Sequence, residues 1–202
     1  MSTSTKPRVV RGPAPAKRLT RSNYRKVARE PLRRDFQDRC AYSGQHLQRA
    51  GGLRAMDIDH FDPGKKEDFI QQYDNLFWAT RHCNGAKWKF WPSAKEQSDG
   101  LRYLNPCREQ DYGEHIFEDP QTHRLVGVTP AGRYHIRMCD LNADHFVTER
   151  QERAEIWELL RTAMTLKGNQ MPELTVEMGA ALRKQAEQMI PEYPHLPKTP
   201  AA

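Results

Sequence analysis

The run from position 56 to position 87 limits what this chain can fold into more than any other part of it. It opens on Met56-Asp-Ile-Asp-His60, where an apolar segment ends in an Asp-His pair, and then turns at Asp62-Pro-Gly-Lys-Lys66. A second segment, Asn75-Leu-Phe-Trp78, carries bulky side chains expected to pack beneath the polar residues of the first. A helix is then expected from near Thr80 or His82 to about Phe90, with Pro92 as its stop.

The polar residues of this run have chemistry that can act together. His60 is a natural base, because a neutral imidazole can take a proton from water at about pH 7. Asp59 offers a hard oxygen for Mg²⁺, and the amide oxygen of Asn84 offers a second from the facing helix. Lys87 follows Asn84 by one helical turn on the same face, where its ammonium would reach a phosphate held by those ligands. Asn75 sits in a loop, and its amide is expected to bridge backbone groups and hold the segment carrying His60 in position. An activated water, a cation and a positive group near the phosphate are what phosphodiester hydrolysis requires.

The pattern Asp59-His60, Asn75 and Asn84 resembles the HNH endonuclease family. In that family a ββα-metal fold places Asp-His at the end of a strand, the middle Asn in a loop and the last His or Asn on a helix. Asn in the last place is similar to the HNH domains of CRISPR effector nucleases. Tyr24-Arg25, Leu32-Arg33-x-Asp35-Phe36, Arg39-Cys-Ala-Tyr42, Asp59-His-Phe-x-Pro63, Tyr73-x-Asn-Leu76, Cys83-Asn84, Leu104-Asn-Pro106 and Leu141-Asn142 with Arg150 look like the HNH proteins of bacterial anti-phage systems, including Septu-type and retron-associated ones. The resemblance spans about residues 24–150. It implies an α+β fold with a ββα-metal HNH core, flanking helices, a small antiparallel sheet and a helical C-terminal region. It also implies DNA cleavage with Mg²⁺, or Mn²⁺ in its place, on Asp59 and Asn84, and an ATPase subunit as partner in a defence complex.

Many such relatives carry two Cys-x-x-Cys knuckles that bind a structural Zn²⁺. This chain has Cys40-x-x-Ser43 and Thr80-x-x-Cys83. Ser and Thr are poor zinc ligands, so structural Zn²⁺ is not expected unless His46 or His82 substitutes. Cys40 and Cys83 are then expected to pack as small buried residues, with Phe36, Tyr42, Phe77, Trp78, Trp88 and Trp91 holding hairpin to helix.

At 202 residues and 37% hydrophobic content the chain can bury one core but not two large ones. The organisation expected is a flexible basic arm over 1–22, a nuclease domain over 23–147, a helical region over 148–192 and a Pro-rich tail over 193–202. Short strands are expected over 115–117, 124–129 and 134–139. The net charge of +6 is concentrated in the first thirty residues, where Lys6, Arg8, Arg11, Lys17, Arg18, Arg21, Arg25, Lys26 and Arg29 face only Glu30. That excess suits DNA or another polyanion. No apolar run reaches signal or membrane length, and the four cysteines do not read as a secreted disulfide framework, so a cytoplasmic protein without membrane contact is expected.

Lys65, Lys66, Arg81 and Lys89 are candidate contacts to the DNA backbone, although a solvated face explains them nearly as well. Trp88 and Trp91 are expected in the core rather than stacked on unpaired bases. The alternative to an enzyme is a nucleic-acid-binding subunit that keeps this fold and does not cut.

Overall fold

Strand β1 (Met56–His60) pairs antiparallel with β2 (Leu76–Thr80), in a register that sets Ile58 opposite Trp78 and His60 opposite Leu76. The structure, a computed structural model, describes residues 9–65, 72–88, 90–109 and 114–165. Its described part is α+β, with seven α-helices and two separate two-stranded antiparallel sheets.

All five residues of β2 are buried, so it is covered on both faces, and this is why the segment reads as an unbroken apolar run. On one side stand α1 (Tyr24–Val27) and α2 (Arg29–Asp35). Leu32 of α2 is fully buried, and Phe36 just past its end meets Phe77 with ring centroids 5.5 Å apart. A short α3 (Leu47–Ala50) then leads into β1 through Gly51 and Gly52, whose φ angles of 104° and 83° suit a residue without Cβ. Helix α4 (Arg81–Lys87) follows β2 with no intervening loop, because the Thr80 side chain caps it by accepting from the Cys83 amide at 3.2 Å.

The chain leaves α4 at Trp88, whose φ of 36° turns it away before Phe90, the end expected from the sequence. Trp88 is 65% exposed as a result, so the expectation of a core position fails for it. Trp91 does pack against the core, stacked on Tyr103 at 5.7 Å. Helix α5 (Ala94–Ser98) begins beyond, behind a Ser93-Glu96 capping box.

Part of the stretch expected as a basic arm is bonded to the fold. The Val9 amide donates to the Pro106 carbonyl at 2.8 Å, and Arg11 is inserted into the body of the fold. Its guanidinium donates to Asp35 Oδ2 at 3.1 Å and to the carbonyls of Tyr73 and Leu76 at 2.8 and 3.1 Å, while lying 4.5 Å from the centre of the Tyr73 ring. A planar group with several donors can satisfy all of these at once, which an ammonium could not. Charge composition alone reads such a residue as solvated, because its partners lie far along the chain. Residues 1–8 are outside the described residues.

The second sheet pairs β3 (Ile116–Glu118) with β4 (Leu125–Gly127), and helix α6 (Pro130–Met138) packs on it. The third strand expected over 134–139 is therefore helical. Thr129 accepts from the Gly132 amide at 3.0 Å and Pro130 takes the first turn, a helix start that outweighs the local apolar alternation. Gly132 is required there, since a Cβ would stand 2.1 Å from the His115 carbonyl oxygen. Asn142 fastens β4 by bonding both backbone groups of Leu125 at 2.7 and 2.9 Å, and Arg150 ties that Asn to the Leu141 and His123 carbonyls. Helix α7 (Asp144–Thr165) starts four residues before the expected position 148. The helix expected over 172–189 and the tail lie outside the described residues. Among the described residues no helix is long and apolar enough to cross a membrane.

Candidate active site

Side chains alternate along a strand, so Asp57 and Asp59 share one face of β1. Residues three apart on a helix also share a face, and α4 lays Asn84 and Lys87 across that pair. Asn84 Nδ2 donates to Asp57 Oδ2 at 3.4 Å, and Lys87 Nζ lies 3.0 Å from Asp59 Oδ2. The helix thus runs back in the direction of β1, and each acidic side chain has its own partner across the gap.

The Asp59 end is closed. Lys87 is 2% exposed and also donates to the His60 carbonyl at 3.1 Å, while the Tyr42 hydroxyl donates to the same Asp59 oxygen. Burial, with the Asp59 charge next, pushes the Tyr42 hydroxyl well above its usual range and keeps it a donor. Helical spacing suggests that Lys87 reaches outward to a phosphate, but here it turns inward. A buried ammonium must be paired, and the carboxylate and carbonyl beneath it supply that pairing.

The Asp57 end is open. Asp57 Oδ1 lies 2.7 Å from Arg25 Nη1 in a pair whose side chains are 26% and 62% exposed. Tyr24, next to Arg25 in α1, sets its ring 5.3 Å from the buried His60 ring. Two consecutive residues of α1 therefore touch both His60 and Asp57.

Asn75 fixes the chain just beyond His60. Its Oδ1 accepts from the Asp62 amide at 2.8 Å, its Nδ2 donates to the Asp62 carbonyl at 2.9 Å, and its own carbonyl accepts from the Phe61 amide at 2.8 Å. The side-chain bridge expected of it is present. Arg11, through the carbonyls of Tyr73 and Leu76, clamps the turn on which Asn75 sits. Lys65 is exposed and pairs with Asp62 at 3.4 Å, and Arg81 is exposed at the start of α4. Lys66 and Lys89 lie outside the described residues.

The four knuckle positions meet behind the site. Cys40 Sγ accepts from the Ser43 amide at 3.5 Å and from Thr80 Oγ1 at 3.6 Å, and the Cys83 thiol bonds to it as well. Burial and the bond to Cys40 push the Cys83 thiol up, so it stays the donor of the pair. Two hydroxyls where thiolates would stand do not suit Zn²⁺. His46 Nδ1 instead accepts from the Gln48 amide at 3.3 Å, and His82 Nε2 bonds to Asp140 at 2.9 Å.

Among the described residues no three His, Cys, Asp or Glu side chains gather as a cation cage. The side chains between β1 and α4 are the carboxylates of Asp57 and Asp59 and the amide of Asn84, whose nitrogen faces Asp57. Such a set fits Mg²⁺ or Mn²⁺, which accept few protein oxygens and keep several waters.

No family model, curated protein or solved structure matches the chain. The sequence expectation passes over Asp57 and Tyr42 as members of the site and over Arg11 as its support. Strand alternation from Asp59 back to Asp57 is a usable signal for the first. Nothing local marks the other two, which reach the site from distant parts of the chain.

Proposed function

We propose that this chain is a metal-dependent HNH-type endonuclease that hydrolyses DNA phosphodiester bonds, and that it is the nuclease component of a bacterial anti-phage defence system. The reading rests on one observation: α4 sets Asn84 against Asp57 and Lys87 against Asp59 and the His60 carbonyl, with Asn75 locking the backbone that follows His60. In this reading His60 takes the proton of the attacking water, a task suited to an imidazole near neutral pH. The Tyr24 ring orients that imidazole, and the bonds of Lys87 to the His60 carbonyl and of Asn75 to Asp62 hold its backbone. Mg²⁺ or Mn²⁺ on the oxygens between β1 and α4 would supply Lewis acidity at the phosphate and neutralise charge on the departing 3′ oxygen. Lys87 and Tyr42 keep Asp59 in one orientation, and Lys65 and Arg81 stand exposed as contacts for the DNA backbone. An ATPase subunit is the partner that the resemblance to Septu-type and retron-associated proteins supports.

The test is nicking of supercoiled plasmid by the purified chain. Nicks are expected with Mg²⁺ or Mn²⁺ and not after EDTA. A chain that retains plasmid yet leaves it intact, alone and beside the ATPase subunit, would be the non-cutting DNA-binding subunit instead.

A further inference from the structure

Two large aromatic side chains stand in solvent where α4 ends: Trp88 is 65% exposed and Phe90 60%. We infer that Trp88, with Phe90 following it, stacks on unpaired bases beside the scissile phosphate, so that the DNA cut here is single-stranded or opened at the cutting point. This rests on the nuclease reading above and names the substrate class of that same site.

Three observations carry it. The first is backbone strain. Trp88 has a φ of 36° and a ψ of −123° in a turn closed by the Phe90 amide, which donates to the Lys87 carbonyl at 3.0 Å. That conformation suits glycine at the first central position of a type II′ turn, and a bulky residue adopts it at a cost. The turn is held all the same: the Tyr103 and Tyr134 hydroxyls donate to the Phe90 carbonyl at 2.6 and 3.3 Å, and Trp91 stacks on Tyr103. Folding alone therefore favours glycine at 88, whereas a fixed and exposed indole is what recognition needs.

The second is the face of α4. Helical spacing sets Arg81, Gly85 and Trp88 on one side of the helix, and all three are exposed. Glycine is unfavourable inside a helix, yet a Cβ at Gly85 would meet nothing within 4 Å, so internal packing does not call for it. The bare backbone gives a nucleic-acid strand room to lie between the Arg81 cation and the Trp88 ring. The third is charge and place. Residues 81–90 include Arg81 and Lys89 beside the buried Lys87, and no acid, so cations alternate with aromatics as a single strand requires. The Trp88 amide donates to the Asn84 carbonyl at 2.9 Å, which sets Trp88 one helical turn from Asn84 and next to the lysine that bonds the His60 carbonyl. Paired bases are already stacked on one another and offer no face to a side chain, whereas every unpaired base does.

The experiment measures binding of the full-length chain to a fluorescein-labelled oligothymidine and to the matching duplex by anisotropy, in EDTA so that nothing is cut. Trp88→Ala should bind oligothymidine roughly tenfold more weakly than wild type, with the duplex affected far less. Trp88→Gly suits the backbone at 88, so it should keep the circular-dichroism spectrum of wild type and show the same loss on the single strand. Trp88→Phe, which keeps a ring, should recover part of the affinity, and Trp88→Leu should not. A folded Trp88→Gly that grips oligothymidine as wild type does would overturn the stack and leave the exposed ring for a protein partner. Equal losses on single strand and duplex, or a wild type that ignores oligothymidine, would overturn it as well. Plasmid nicking in Mn²⁺ separates the two claims. Wild type that binds oligothymidine through Trp88 and never nicks loses the nuclease reading and keeps the stack, whereas nicking with single-strand binding untouched by the substitutions keeps the reading and loses the stack.

Discussion

Lys87 Nζ lies 3.0 Å from Asp59 Oδ2 and 3.1 Å from the His60 carbonyl, so one buried ammonium joins the last turn of α4 to the two end residues of β1. Removing one member of such a pair leaves a bare charge in the interior. Lys87→Met is expected to cost about 3–5 kcal/mol of stability, measured by urea unfolding. The double variant Lys87→Met with Asp59→Asn should cost less than the two single changes added together, because neither charge is then stranded. Simple additivity would show that the two groups do not interact.

Asn75 satisfies both backbone groups of Asp62. Asn75→Ala leaves them without that partner and should destabilise the chain by about 2 kcal/mol. The sharper signature is local. Hydrogen exchange at the Asp62 amide should rise more than at the β1–β2 ladder, and equal rises at both would contradict the assigned bridge.

Asp35 accepts from Tyr73, Arg34 and the Gly12 amide and sits beside Arg11; burial alone would raise its carboxyl, but these partners together hold it below its ordinary value. A group whose folded pKa is lowered stabilises the fold above its unfolded pKa, and that contribution disappears as pH falls through the folded value. The stability gap between wild type and Asp35→Asn should therefore be full at neutral pH and shrink as pH drops below about 4, the unfolded carboxyl value. Arg11→Ala should narrow the same gap at neutral pH and loosen residues 9–12. A gap that is flat with pH would contradict this account of the clamp.

Cys40, Ser43, Thr80 and Cys83 meet in one hydrogen-bonded cluster. Ser43→Cys with Thr80→Cys should therefore create a four-thiolate site that takes up about one Zn²⁺ per chain, read by elemental analysis. Failure of the folded variant to bind zinc would show that the four positions do not converge as described.

What the sequence discloses and what it hides follow from the range of the interactions. The helix after β2 and the bridge by Asn75 are legible because a helix start, a proline stop and a turn amide act over a few positions. Arg11 is hidden because its partners, Asp35, Tyr73 and Leu76, are brought together only by the folded chain. The inward turn of Lys87 is hidden for another reason: helical spacing gives the face but not whether the side chain ends in solvent or on a buried carboxylate. Helix α6 is hidden because alternating Tyr134, Ile136 and Met138 mimic a strand, whereas its buried positions, Ala131, Gly132, His135 and Ile136, have helical spacing.

In the proposed reaction His60 takes the proton from the attacking water. Single-turnover nicking of supercoiled plasmid in Mn²⁺, comparing wild type with His60→Ala of matched fold, tests it most directly. The rate is predicted to fall by roughly 100-fold or more. Equal rates for the two proteins would contradict the account.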